Sequence, residues 1–344
     1  MDAMRPRYVT LLLILLFVSP ALGAWLPWFA SKRASVCNGH SELCSRPYGN
    51  TTFLAAHNSF AFSMNPLALA RTQEVDVAAQ LKLGVRMLQG QAHMMETFTF
   101  VTRLVYVPME VMYCVYSLIF ASNQGLFDGG TVEDYLKKVK TFLDANPNEV
   151  LTFIFTNPER LSLPDIWKPA FDNAGVTPFA YIPPSRPVRR NDWPTLGQLI
   201  DQGKRVIVFL DAGADGSAGG IVDFILPQFE MVWEDPFSPT DANFPCRVDR
   251  STGPLSTDQH LNLINHNLNV NIIPIGDGVL ISDRANAPTT NSVNSILAHA
   301  NGCASFASGR APNFVLLDYV NTSASTVSIA GLILLSPLYH FLSL

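Results

Sequence analysis

The sequence predicts an α/β protein whose parallel strands close into a barrel, and three observations lead there. The runs VLTFIFTN (150–157), RVIVFLDAG (205–213) and NFVLLDYVN (313–321) are almost continuously apolar, as strands covered on both faces must be. Segments with helical spacing fall between such runs, the order of a parallel sheet with crossover helices. No G-x-G-x-x-G follows the first strand, which weighs against an open dinucleotide-binding sheet.

The elements follow in chain order. Residues 1–23 read as a signal peptide: Arg5 and Arg7 precede YVTLLLILLFV, and SPALGA offers small residues for cleavage after Gly23. The mature chain is expected to start near Ala24 and to enter the secretory route, where disulfides form. Cys37 and Cys44 are close enough to close a small loop, Cys246 and Cys303 make a long-range pair, and Cys114 is left over. Asn50 (N-T-T) and Asn321 (N-T-S) are candidate glycosylation acceptors.

TFLAAH (52–57) is an apolar strand that opens into a loop at His57–Asn58. Val75, Ala78, Ala79 and Leu81 share one helical face over 73–83 before Gly84 ends it, and GVRMLQ (84–89) is the next strand. Thr131 caps a helix with Glu133 and Asp134 in its first turn and Val132, Leu136, Val139, Phe142 and Leu143 at helical spacing. GADGSAGG (213–220) lacks the Lys-Ser/Thr of a phosphate loop and reads as a flexible strand-to-helix connection. Helical patterns at 257–268 and 290–300 carry His266 and His299, both read as structural. Residues 327–344 hold no charged residue and follow the small residues of NTSAS (321–325), the pattern of a GPI-anchor signal. A tail anchor or an apolar barrel helix are the alternatives, and Pro337 weighs against an uninterrupted soluble helix.

Composition narrows the function. The chain has 344 residues and a formal net charge of −5, with 23 Lys+Arg that form no long run, so no nucleic-acid partner is expected. Arg186, Arg189 and Arg190 are the conspicuous basic cluster and read as a solvated loop. Neither CxxC nor HExxH occurs, which removes two zinc readings.

Barrel chemistry gathers where strands end at their C-terminal side. His57 and Asn58, then Gln89, Gln91 and His93, then Asn157, Asp211 and Asp318 occupy those positions. Arg86, inside the second strand, is expected either to point inward toward an anion at the rim or to be held by a buried carboxylate such as Asp318 or Asp211. A glycosidase using Asp211 with Glu230 or Glu234 also suits a barrel, but no motif supports it.

The stretches CNGHSELC (37–44), LAAHNSF (54–60), QLKLGVRMLQGQAH (80–93), GTVEDYLKKVKTFLDANPNEVLTFIFTN (130–157), WEDPFSPTDANFPC (233–246), LINHNLN (263–269) and GRAPNFVLLDYVN (309–321) occur in order over nearly the whole mature chain. In them the chain resembles the fungal-type secreted PLC-like phosphodiesterases, relatives of the phosphatidylinositol-specific phospholipase C X domain. The resemblance implies one catalytic-type domain over 24–326, a distorted (β/α)8 TIM barrel, and phosphodiester cleavage through a cyclic phosphate. It implies that His57 is the general base, that Arg86 stabilises phosphoryl charge, and that Asp318 positions or charge-couples a histidine. Asn58, Gln89, His93 and Asp211 would then line the substrate site, with a phosphoinositide or related phosphodiester as ligand. Calcium-using relatives place carboxylates where this chain has Gln89 and Gln91, so no metal or other cofactor is expected.

The same resemblance predicts a second histidine as general acid, and none occurs between His93 and His260. Alignment on Cys114 puts Val115 at its place, and alignment on GLFDGG (125–130) puts Ala121 there. The segment 94–124 is rich in Met, Val, Tyr and Phe, whereas loops that run over a surface are polar. It reads as a retained intron, as the mark of a non-catalytic cell-surface binding protein on the same barrel, or as a lipid-facing insertion. His93 reads as a supporting residue rather than as the missing acid.

Overall fold

The computed structural model describes residues 33–95, 112–117, 127–273 and 279–322. The expected signal peptide (1–23), the tail (327–344) and most of 94–124 lie outside them. The strands are β1 (Phe53–Ala56), β2 (Met87–Met95), β3 (Met112–Ser117), β4 (Phe127–Thr131), β5 (Leu151–Thr156), β6 (Val206–Leu210), β7 (Ile225–Pro227), β8 (Val232–Glu234), β9 (Leu261–Asn265), β10 (Asn269–Asn271), β11 (Leu280–Ser282) and β12 (Phe314–Leu317). The helices are α1 (Val77–Lys82), α2 (Val132–Ala145), α3 (Lys168–Asn173), α4 (Leu196–Asp201), α5 (Ala287–Thr290) and α6 (Val293–Cys303).

Eight strands form a curled parallel sheet in the order β7-β6-β5-β2-β1-β12-β9-β8. This is a distorted (β/α)8 barrel. Among the described residues no pairing joins β7 to β8, and no α-helix separates β6 from β7, β7 from β8, or β8 from β9. Strand alternation sorts the side chains into two layers. Phe53, Ala55, Met87, Ile154, Phe209, Val232, Leu263, Phe314 and Leu316 face the barrel interior. Leu54, Leu88, Phe153, Phe155, Val208, Val315 and Leu317 face outward, where Leu136, Val139 and Leu143 of α2 cover part of the sheet. Asp76 and Thr131 cap α1 and α2 through their side-chain oxygens, accepting from Ala79 N and Asp134 N.

The interior is closed at the N-terminal side of the strands by Tyr48, Trp193 and Arg190. Tyr48 bonds Thr152 of β5 at 2.7 Å, and its ring lies 4.9 Å from that of Trp193. Gly49 is required there, because a Cβ would fall 1.9 Å from the Arg190 carbonyl oxygen. Arg190 donates to Gly49 O, Asn262 Oδ1 and Ala311 O, and burial draws its guanidinium down to about 9. The solvated-loop reading of 186–190 therefore fails for Arg190, although Arg189 is exposed.

Two further expectations change. Residues 257–268 form a single 3-10 turn and then β9, because LNLIN alternates with the period of a strand and both its faces are buried. The glycine-rich 213–220 leads to β7 rather than to a helix. Disulfides join Cys37 to Cys44 and Cys246 to Cys303, with Cα–Cα distances of 5.1 and 5.3 Å. β2 continues beyond the barrel and pairs antiparallel with β3, which pairs with β4, so part of 94–124 extends the sheet as a β-meander.

Candidate active site

Register alone brings the central pair together. Ala56 of β1 lies opposite Leu317 of β12, so the next residues, His57 and Asp318, leave adjacent strand ends on the inward face. His57 Nδ1 is 2.7 Å from Asp318 Oδ1, and Ser282 of β11 donates to Asp318 Oδ2. An ionised Asp318 fixes the tautomer: Nδ1 carries the proton and Nε2 keeps its lone pair. The Asn58 amide lies 3.2 Å from Nε2 and donates to it. The Asn267 amide also lies 3.2 Å from Nδ1, and because Nδ1–H is a donor the compatible orientation turns the Asn267 oxygen toward the ring.

The backbone beneath this pair is held just as closely. His57 N donates to Leu317 O, and the His57 carbonyl accepts from Thr72 Oγ1 and Gln73 Nε2 at 2.9 Å each. Gln73 also bonds Leu317 O and Val320 N, which ties the ends of β1 and β12 together. Asn58 adopts φ +40°, a left-handed turn that asparagine tolerates. Gln89, one residue beyond the Ala56–Leu88 pairing of β1 with β2, accepts from Asn58 N through Oε1 at 2.7 Å. Its oxygen is thereby engaged within the protein, a poor donor set for a calcium ion.

Arg86 is not at this site. It precedes β2 on the N-terminal side of the barrel, and it shares the outward parity of Leu88, not the inward parity of Met87 and Gln89. Its guanidinium donates to Glu149 at 2.6 Å and to Leu81 O and Val85 O, and lies 5.2 Å from the Phe142 ring centre. Both expectations for Arg86 are corrected: it neither reaches the rim nor pairs with Asp318 or Asp211.

The other expected residues separate. His93 stands further along β2, where it bonds Glu159 at 2.7 Å. Asp211, after β6, accepts from Asn157 N at 2.7 Å, and burial pushes its carboxyl upward against that bond and the charge of Arg250. Asn321 Nδ2 donates to Glu74 at 3.3 Å, which occupies the nitrogen a glycan would need, whereas Asn50 is exposed. Sequence reasoning missed Gln73, Asn267, Ser282 and the Glu234–Arg250 pair. Asn267 follows the end of β9 by two residues, a strand-end position like that of His57.

Comparison with known proteins identifies the family and the fold. The PI-PLC X family model matches residues 43–330. This chain belongs to the PI-PLC X domain family. A PI-PLC X domain-containing protein 1 from Arthroderma benhamiae is 39% identical over 294 residues, covering 83% of this chain and 85% of the relative. An uncharacterized secreted protein of the same fungus is 37% identical over 290 residues, covering 83% of this chain, which spans only 60% of that relative's length. The barrel resembles the phosphatidylinositol-specific phospholipase C of Listeria monocytogenes with a TM-score of 0.53 at 12% identity, over 84% of this chain and 94% of the bacterial one. At that identity the likeness concerns the fold.

Proposed function

We propose that this PI-PLC X domain is a secreted, metal-independent phosphodiesterase that cleaves a phosphoinositide or related phosphodiester, with His57 as general base. The observation that supports it is the inward pair His57–Asp318 at the barrel mouth, with Nδ1 held by the carboxylate at 2.7 Å and Nε2 left as the proton acceptor. In this reading Nε2 removes the proton of a substrate hydroxyl adjacent to phosphorus, displacing the Asn58 amide. That oxygen attacks phosphorus, the leaving alkoxide departs, and a cyclic phosphate forms. Asp318 orients the ring and stabilises the imidazolium that results.

The rim favours a lipid phosphodiester. Met64 and Leu67, 83% and 82% exposed, stand with Phe62 and Leu69 on the loop that follows His57. Phe237 lies on the loop after β8, and Val270, Ile272 and Ile273 are exposed around the β10–β11 hairpin. Exposed apolar groups around a strand-end site suit partial insertion into a bilayer. The relative named as secreted and the signal-like N-terminus support an extracellular location, and the apolar tail supports a GPI anchor.

A second reading, an anion-binding protein without turnover, is favoured by one fact: the chain has no histidine between His93 and His260 to act as acid. Turnover of a chromogenic inositol phosphodiester, lost in His57→Ala, supports catalysis. Retention of the intact ligand with no turnover by the folded wild type supports the second reading.

A further inference from the structure

With Arg86 outside the site, the phosphoryl group has no assigned cation. We propose that Arg250 holds the phosphoryl oxygens, an inference that rests on the phosphodiester reading above. Arg250 reaches the mouth from the long loop between β8 and β9. Its backbone pairs antiparallel with Glu234, the last residue of β8. Residues directly opposite in such a pair project from the same face. Glu234 has the inward parity of Val232, so Arg250 turns inward with it.

The side chains confirm that direction. Arg250 Nη2 donates to Glu234 Oε2, and Asn265 Nδ2 at the end of β9 lies 3.4 Å from the same oxygen. Two residues beyond Asn265, Asn267 touches the His57 imidazole, so the cation and the base belong to one contiguous polar surface. Arg250 also acts electrostatically on Asp211 after β6.

The pair is built as a subsite and not only as a neutralised charge. Glu234 is buried, yet Arg250 is 34% exposed and keeps solvent access. Its guanidinium carbon lies 5.1 Å from the Phe229 ring centre and 4.7 Å from that of Phe237, which fix the plane of the fork. Nη2 is the only nitrogen that makes a hydrogen bond among the described residues, and Nε is buried without an acceptor. A guanidinium held on one side by a carboxylate, with donors unspent on the other, suits a tetrahedral oxyanion.

The reach of this loop also has a sequence correlate. Cys246, four positions before Arg250, is tied by its disulfide to Cys303 at the end of α6, which anchors the loop close to the arginine. The loop is thereby positioned before any ligand arrives.

The test is calorimetric titration of inorganic phosphate into wild type, Arg250→Gln, Arg250→Lys and the double variant Glu234→Gln/Arg250→Gln. The double variant leaves a neutral amide pair, so no buried charge is stranded, and thermal melting verifies its fold. Loss of charge-assisted bonds predicts at least about a tenfold weaker phosphate affinity in Arg250→Gln and in the double variant, with partial recovery in Arg250→Lys. A folded double variant that binds phosphate as wild type does, or a wild type that binds none, overturns the assignment. If wild type binds phosphate through Arg250 but cleaves no phosphodiester, the catalytic reading fails and the anion site stands. If wild type cleaves and Arg250→Gln cleaves equally fast, the Arg250 assignment alone fails.

Discussion

At the scale of single residues, parity along a strand decides what reaches the site. His57 and Asp318 were legible because both directly follow apolar runs, and parallel pairing in register makes such residues neighbours. Arg86 is not legible in the same way, because GVRMLQ looks like one strand while the pairing of β2 with β5 begins only at Met87. Arg86 stands just before β2 begins at Met87, and its contacts decide its place: Glu149 and Phe142 receive it away from the mouth. Two outcomes follow. His57→Gln lowers turnover by roughly two to four orders of magnitude, while the Gln amide can still donate to Asp318 and so limits the loss in melting temperature. Arg86→Gln does the opposite: it strands the half-buried Glu149 carboxylate, costing about 1–3 kcal/mol in a urea titration while the folded fraction keeps its turnover.

At the scale of elements, the misplaced segment was β9. LNLIN has a strand's alternation, but it is short, polar at Asn262 and Asn265, and followed by HNLN, so the longer helical pattern over 257–268 obscures it. Asn265 has the inward parity of Leu263 and bonds Asp235, whereas Asn262 has the parity of Ile264 and bonds Arg190 at the closed end. β9 also delivers His266, which sits in a buried chain: Thr290 O, His266, His299, Asp235. Burial first, and His299 second, hold the His266 imidazole down to about 3 from its ordinary 6.5. The unfolded chain therefore binds the extra proton between those values, and stability contributed by this group falls as pH drops below about 6.5. Unfolding free energies from urea titrations of wild type and His266→Asn across that window should differ in pH slope by at most about 1.4 kcal/mol per pH unit. The same region depends on the Cys246–Cys303 bridge, which spans 57 residues. Replacing both cysteines by serine is expected to cost about 2–4 kcal/mol in denaturant unfolding.

At the scale of the whole molecule, a barrel with an apolar interior, closed at one end by Tyr48, Trp193 and Arg190, leaves its polar groups at the mouth. Around that mouth the sequence shows apolar residues, Phe62, Met64, Leu67 and Leu69, but not their exposure, which depends on which end of β1 they follow. A rim that meets lipid predicts that Met64→Glu/Leu67→Glu lowers sedimentation with phosphatidylinositol-containing vesicles several-fold, while turnover of a water-soluble phosphodiester stays at the wild-type rate. The histidine pair expected from the resemblance is halved in this chain, so the decisive question is chemical. The most direct measurement is 31P NMR of phosphatidylinositol in mixed micelles incubated with the secreted wild type and with His57→Ala. The account predicts a cyclic inositol phosphate signal with the wild type and none with the variant. Equal product from both, or none from a folded wild type, would contradict it.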